Sequence, residues 1–105
     1  MSIRCFVDQI IVMEIKHQEN NNKGKFYYEV EGKQLAEMTY TYAGSDKIII
    51  DHTEVDDSLR GQGVGYKLVE ASVQFAREHK ISVLPLCPFA NAVFRKKKEY
   101  SDVLA

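Results

Sequence analysis

The first half of the chain alternates apolar and polar side chains over short runs, which is typical of strands with one buried face. Residues 26–30 are rich in aromatic and β-branched side chains, and residues 34–43 carry Ala, Met and Tyr on one face and Glu and Thr on the other. Residues 47–52 are apolar enough for a central strand. Residues 10–16 are compatible with a strand but alternate poorly, and residues 19–25, with three consecutive asparagines, predict an exposed turn. The pattern therefore predicts an antiparallel meander.

After this meander the apolar spacing changes from that of a strand to that of a helix. Over residues 65–79, spacings of three and four place Leu68, Ala71 and Phe75 on one helix face. Three further apolar side chains widen that face: Val69, Val73 and Ala76. This is the strongest helix signal in the sequence.

The helix is followed by residues 81–86, which return to strand character, so residues 47–86 predict a parallel strand–helix–strand crossover. Pro88 then begins a short C-terminal helix. The predicted fold class is α+β, with the meander leading into the crossover in one mixed sheet.

Length and composition limit what this protein is. The 105 residues allow a single domain, 1–105, whose core needs no disulfide or metal. Lys and Arg total 14 and Asp and Glu total 15, so no overall charge attracts nucleic acid or an anionic membrane. The two cysteines, Cys5 and Cys87, are too few for a disulfide scaffold and favour a reducing, cytoplasmic location. The apolar runs are far shorter than the roughly 18 residues of a membrane span.

The segment with the clearest chemistry is residues 60–65, Arg-Gly-Gln-Gly-Val-Gly, directly before the long helix. Three glycines start a helix poorly, but they allow left-handed backbone angles and the close approach of a ligand. Backbone N–H groups at a helix start favour an anion such as a pyrophosphate. Tyr66 stands where a dinucleotide fingerprint needs its third glycine, and Tyr66-Lys67 does not complete a Walker loop. NAD and ATP therefore fit poorly.

A third phosphate-binding pattern does fit. Arg60, Gly63 and Gly65 resemble the Arg/Gln-x-x-Gly-x-Gly/Ala motif of the GNAT acetyltransferase superfamily, which binds the pyrophosphate of acetyl-CoA. The segments 50–55, before the loop, and 85–90, after it, resemble the small single-domain YjdJ-type branch of that superfamily. The resemblance implies a minimal GNAT-like fold with acetyl-CoA or CoA as its ligand.

This resemblance covers roughly residues 13–105 and leaves residues 1–12 as an N-terminal extension. It implies that a run of backbone groups holds the pyrophosphate: Arg60, Gly61, Gln62, Gly63, Val64 and Gly65. The main chain around Thr53 and Val55 is expected to pair with the pantetheine arm between two splayed strands. Pro85 lacks a backbone N–H, which independently predicts a broken ladder at that point.

His52 and Cys87 end two strands that are predicted to be parallel neighbours, so both are expected at the same sheet edge, flanking the acyl thioester. Members of the resembling branch carry the same pair, which implies a catalytic role for both. In one mechanism His52 takes the proton from an amine that attacks acetyl-CoA directly. In the other, Cys87 accepts the acetyl group first. The first mechanism is preferred, because the superfamily favours direct transfer.

The remaining cysteine and histidines do not suggest a metal site. Cys5, His17 and His79 have no metal-ligand spacing with His52 or Cys87, so we expect no metal.

The acceptor side departs from the superfamily pattern. Typical members carry two helices between their first two strands, whereas residues 19–33 hold only turns and a strand. An N-acetyltransferase acting on an unidentified amine, a small molecule or a protein, is the preferred function, and a monomer or weak dimer is expected. Two alternatives stay open: a CoA-binding or interaction module with little or no catalysis, and a structural domain in which residues 60–65 are only a turn.

The three lysines at 96–98 fit a solvated helix end better than a contact to the 3′-phosphate of CoA.

Overall fold

A five-stranded sheet forms the centre of the protein, whose computed structural model describes residues 14–59 and 61–105. The strands follow chain order across the sheet: β1 (Lys16–Asn20), β2 (Lys23–Val30), β3 (Lys33–Tyr42), β4 (Lys47–Val55) and β5 (Ser82–Pro85). The pairs from β1 to β4 are antiparallel, whereas β4 and β5 are parallel. The predicted meander, mixed sheet and α+β class are confirmed.

Two α-helices accompany the second half of the sheet. The first, α1 (Val64–His79), makes the crossover from β4 to β5, and the second, α2 (Pro88–Lys96), follows β5. Short 3-10 helices occupy Asp57–Leu59 and Lys98–Val103. The sequence predicted both α-helices, and Pro88 stands in the first turn of α2 as expected. No helix in the described part of the chain is long and apolar enough to cross a membrane.

The core lies between α1 and one face of the sheet. On β3 the alternation was predicted correctly, because Ala36, Met38 and Tyr40 are buried. The other strands and α1 complete this core with a further set of buried side chains: Phe26, Ile48, Ile50, Val83, Leu68, Val69, Val73 and Ala76. We call this side of the sheet the helix face and the opposite side the open face.

The buried stripe of α1 is rotated relative to the predicted one. Ala71 and Phe75 are only partly buried, whereas Ser72 is fully buried. Ser72 is accommodated because its Oγ donates a hydrogen bond of 2.6 Å to the carbonyl oxygen of Val69. A pattern built on apolar residues alone therefore misses a polar residue that satisfies its own hydroxyl.

The β1–β2 hairpin corrects the predicted turn over residues 19–25. Both strands continue through that segment, with Glu19 opposite Gly24, and the turn contains only the two residues between Asn20 and Lys23. Asn21 makes so short a turn possible because it adopts a left-handed φ of 61°. β1 also begins later than predicted, at Lys16, and the earlier part of the predicted strand, residues 10–13, lies outside the described residues.

A chain of polar contacts joins β1 to β3 at the helix face. The ring of His17 stacks on Phe26 with 4.3 Å between centroids, and this desolvation lowers the pKa of His17. Tyr40 donates its hydroxyl proton to Glu19 over 2.7 Å, so the 2.5 Å contact between Tyr40 and His17 requires Nε2 of His17 to donate. Tyr42 donates a second bond of 2.6 Å to Glu19, and these hydrogen bonds, led by that from Tyr42, lower the pKa of Glu19.

The pairing of β3 with β4 contains a bulge. Tyr40 pairs with Ile50 and Thr39 pairs with His52, so Asp51 is an extra residue on β4. Thr39 donates its hydroxyl proton to the Asp51 carboxylate over 2.5 Å. Because paired residues share a face, this extra residue puts His52 on the open face together with Thr39.

Candidate active site in the gap between β4 and β5

The parallel pairing of β4 and β5 ends partway along β4. Its last pair joins Ile50 to Pro85, and β4 then continues to Val55. The N–H groups of Leu86 and Cys87 both donate to the carbonyl oxygen of Ile50 at 3.0 Å, where the chain turns away from β4. Within the described residues no strand pairs with this side of β4 beyond Ile50, so a free strand edge faces a gap.

The glycine loop adjoins this edge and enters α1 through two left-handed residues. Gly61 has φ +83° and Gly63 has φ +74°, and a Cβ at either position would meet nothing within 4 Å. Backbone conformation, not packing, therefore requires glycine at these positions. Gly63 is the N-cap of α1 and has no side chain to satisfy the first-turn N–H groups. Arg60 lies outside the described residues.

A cavity of about 540 Å³ joins the free edge to the loop. Its wall is contributed by β4, the loop and the starts of both helices: Thr53, Val55, Leu59, Gly61, Gly63, Val64, Gly65, Tyr66 and Phe89. Thr53 pairs with Met38 and Val55 pairs with Ala36, so both side chains lie on the helix face. The wall is mainly apolar side chains with exposed glycine backbone, which suits a long flexible ligand that carries an anionic group.

Cys87 lies at the closed end of the gap. It is the N-cap of α2 and is only 6% exposed. Its thiol donates a hydrogen bond of 3.3 Å to the hydroxyl of Thr53, one of the cavity-lining residues. The sulfur is therefore next to the free edge of β4 but shielded from solvent.

His52 lies on the other side of β4. Its side chain is 58% exposed, and its Nε2 is 3.5 Å from Oε1 of Glu54 on the same strand. Glu37, which pairs with Glu54, offers a further carboxylate, and one ligand atom from each of these three side chains lies within 4.8 Å of the others. The structure therefore puts His52 and Cys87 at the same edge of the sheet but on opposite faces of β4, each with its own polar partner.

These features lie within a segment that a protein-family model recognises. The model described as GCN5-related N-acetyl-transferase matches residues 25–103, which include the free edge, the glycine loop and α2. The chain belongs to this family. An acetyl-transfer function is what membership supports, as the resemblance in the sequence implied.

Three proteins illustrate what this GNAT protein is similar to. A GCN5-like N-acetyltransferase candidate from Staphylococcus aureus, determined by solution NMR, is 44% identical, covers 89% of this chain and 88% of its own, and has a TM-score of 0.70. Protein NATD1 from Xenopus tropicalis is 27% identical over 74 residues, 70% of this chain and 68% of its own. An aminoglycoside acetyltransferase from an uncultured soil metagenomic sample is 22% identical, covers 91% and 76%, and shares the fold with a TM-score of 0.63.

Sequence reasoning selected most, but not all, of the residues around the gap of this GNAT domain. Six of its candidates line the cavity: Thr53, Val55, Gly61, Gly63, Val64 and Gly65. Gln62 is exposed and its side chain turns back to donate to the carbonyl oxygen of Ser58 at 3.4 Å. Three wall residues were missed: Leu59, Tyr66 and Phe89. The signal of the two aromatic residues was weak, since each lies in the first turn of its helix, and only tertiary packing brings the two rings to 6.1 Å.

Proposed function

We propose that this protein binds acetyl-CoA in the gap between β4 and β5 and transfers the acetyl group to an amine. The observation that carries the proposal is the free edge of β4 opening onto a cavity of about 540 Å³ that is walled by the glycine loop. A strand edge offers unpaired main-chain groups to an extended amide-containing chain such as pantetheine. The main chain around Thr53 and Val55 is the part of β4 assigned to that arm.

The pyrophosphate is assigned to the backbone of residues 60–65. Two left-handed glycines leave this backbone uncovered by side chains, and the start of α1 supplies N–H groups and the positive end of a helix dipole. The net charge of the chain is −1, so the loop backbone and not a basic surface accounts for anion binding at this position.

For the transfer itself, His52 is assigned as the base that accepts a proton from the attacking amine nitrogen. It is accessible from the open face, and Glu54 lies 3.5 Å from its Nε2, so the positive charge that develops is next to a carboxylate. The amine nitrogen attacks the thioester carbonyl as its proton passes to His52, the carbon–sulfur bond breaks, and the departing CoA thiolate takes up that proton from His52. In the alternative route, the Cys87 thiolate takes the acetyl group first. Direct transfer is preferred because Cys87 is only 6% exposed.

Calorimetric titration with CoA tests the binding step. We expect wild-type protein to bind and Gly63→Val to lose at least tenfold in affinity, because a β-branched side chain disturbs the left-handed N-cap. Gly32→Val is the matched control: Gly32 also has a left-handed φ, of +80°, with nothing within 4 Å, but it lies in the β2–β3 turn. Both variants should lose similar stability and only the first should lose CoA. Equal affinities in the two variants would reject the loop assignment, and no binding to wild type at millimolar CoA would reject the proposal.

A second candidate function is a CoA-binding module without catalysis. The observation that favours it is the two-residue turn between β1 and β2, which leaves no segment there to cover an acceptor. Incubation of the protein with acetyl-CoA and a panel of amines and peptides, with released thiol measured, separates the two. Binding without acetylated product across the panel would favour the module.

A further inference from the structure

Two lysines at the end of α2 converge on an aromatic residue of the cavity wall. Lys96 donates from Nζ to the hydroxyl of Tyr66 over 3.5 Å, and Nζ of Lys97 lies 5.8 Å from the centre of the Tyr66 ring. Tyr66 is in the first turn of α1, so this contact joins the start of one helix to the end of the other. Tyr66 also lines the cavity beside Gly63 and Gly65.

The two ammonium groups form no ion pair with an acidic side chain in the part of the chain that the structure describes. Among the ion pairs of residues 14–59 and 61–105, none involves Lys96 or Lys97, although the chain carries one more acidic residue than basic ones. A helix C-terminus favours basic side chains, which explains cations near this end of α2. It does not explain why both reach an aromatic ring of the neighbouring helix, nor why Tyr66 keeps 38% of its surface exposed there.

We propose that Tyr66, Lys96 and Lys97 bind the 3′-phosphorylated adenosine end of CoA and select CoA over 3′-dephospho-CoA. This inference rests on the proposed function, in which the pyrophosphate lies on the glycine loop. From that loop, the adenosine end continues on the side away from the thioester, and Tyr66 directly follows Gly65 in the wall. The phosphate then pairs with the two ammonium groups, and the exposed ring of Tyr66 offers an apolar surface to the base.

The sequence favoured a solvated helix end for residues 96–98, and the proposal gives two of these three lysines a ligand as well. Lys96 and Lys97 both reach Tyr66, whereas Lys98 starts the C-terminal 3-10 helix and is exposed. Lys98 therefore has the same charge and lies in the same segment as Lys96 and Lys97 but does not contact Tyr66 in the described structure, which makes it a matched control.

Calorimetric titration of wild type with CoA and with 3′-dephospho-CoA tests the inference. We expect wild type to bind CoA about tenfold more tightly than dephospho-CoA at low ionic strength, a preference that added salt reduces. The double variant Lys96→Gln/Lys97→Gln should bind the two ligands equally, at the affinity of wild type for dephospho-CoA. Lys98→Gln should keep the preference.

The outcomes separate this inference from the proposed function. Equal binding of CoA and dephospho-CoA to wild type would overturn the 3′-phosphate site while leaving CoA binding intact. A loss of preference in Lys98→Gln as large as in the double variant would also overturn it, because the effect would then be one of overall charge. Binding of neither ligand would overturn both proposals. Retained preference in Lys98→Gln together with its loss in the double variant would support the assigned residues.

Discussion

The aromatic ring of Phe89 lies directly over Gly65. A Cβ built on Gly65 would be 2.5 Å from Cζ of Phe89, closer than two non-bonded carbon atoms approach. Gly65 is the second residue of α1 and Phe89 lies in the first turn of α2, so the two helices pack against each other here, beside the cavity. The third glycine of the loop is therefore required by helix packing, whereas Gly61 and Gly63 are required by their backbone angles.

This relationship predicts the sign of Gly65→Ala. In an unobstructed helix, alanine in place of glycine stabilises by about 0.5–1 kcal/mol. Here we expect destabilisation by about 1 kcal/mol, the low end for overpacking, because the added methyl group must displace the tip of a Phe89 ring that is 38% exposed. Urea denaturation measures the free energy of unfolding. In a Phe89→Ala background the same Gly65→Ala change should stabilise the protein, and destabilisation in both backgrounds would contradict the packing explanation.

Because His52 and Cys87 lie on opposite faces of β4, we expect substitutions of these two residues to affect the rate of acetyl transfer differently. We expect His52→Gln to lower the rate of acetyl transfer about 100-fold or more, because the accessible base is lost, while CoA affinity changes little. Cys87→Ala should retain most of the rate, because its buried thiol contacts only Thr53 as a polar partner among the described residues. Intact-protein mass spectrometry after incubation with acetyl-CoA should detect no acetylated enzyme. An acetyl adduct that disappears in Cys87→Ala, together with a lost rate, would establish the covalent route instead.

The polar chain around Glu19 predicts loss of stability on acidification. The pKa of His17 is lowered from 6.5 in the folded protein, so below pH 6.5 the unfolded chain takes up a proton that the folded state resists, and stability falls. The pKa of Glu19 is lowered from 4.5, so its contribution is complete above pH 4.5 and is lost as pH falls through the folded pKa. Thermal unfolding at a series of pH values measures both steps.

Substitutions test whether the two losses of stability on acidification come from His17 and Glu19. His17→Gln should flatten the curve just below pH 6.5, and Tyr42→Phe should move the lower step toward pH 4.5, because it removes the hydrogen bond that does most to lower the pKa of Glu19. Tyr28→Phe is the control, since Tyr28 lies on β2 and makes no bond to Glu19 in the described structure. A lower step unmoved in Tyr42→Phe would show that another carboxylate causes it.

The C-terminal 3-10 helix is tied to α1 by a two-bond ion pair. Arg77 donates from Nε and Nη2 to the two carboxylate oxygens of Asp102 at 2.9 Å, and from Nη2 to the carbonyl oxygen of Glu99 at 2.8 Å. Both charged side chains are about half exposed, which limits the gain. We expect Arg77→Gln to lower the free energy of unfolding only slightly and Arg77→Lys nearly as much, because lysine lacks the planar fork. Hydrogen exchange should show faster opening of residues 98–103, and unchanged exchange there would contradict the tether.

Periodicity in the sequence predicted those helices and strands in which the apolar residues are also the buried ones. The alternation on β3 and the helical spacing of α1 gave the right elements, and Pro88 marked the start of α2. That His52 and Cys87 lie at the same edge of the sheet was predicted from the parallel strand–helix–strand crossover alone. These features depend on local spacing and on chain connectivity, both of which are visible in one sequence.

Other features depend on contacts between distant residues or on single backbone angles. The short hairpin depends on the left-handed φ of Asn21, and burial of Ser72 depends on a bond to its own helix. The packing of Phe89 against Gly65 joins residues that lie 24 positions apart, and the same residue type at 65 fits a phosphate loop equally well. No local pattern distinguishes these cases.

The extra residue at Asp51 divides β4 into two segments that follow separate alternations. Up to Ile50 the even-numbered side chains lie on the helix face, and from Thr53 onward the odd-numbered ones do. If β4 had no bulge and Asp51 paired with Thr39, the imidazole of His52 would face the helix side and the side chain of Thr53 would face the open side. One inserted position thus separates the part of β4 that is buried in the core from the part to which we assign acetyl-CoA and the base, so we expect substitutions in the second part to leave the packing of the first unchanged.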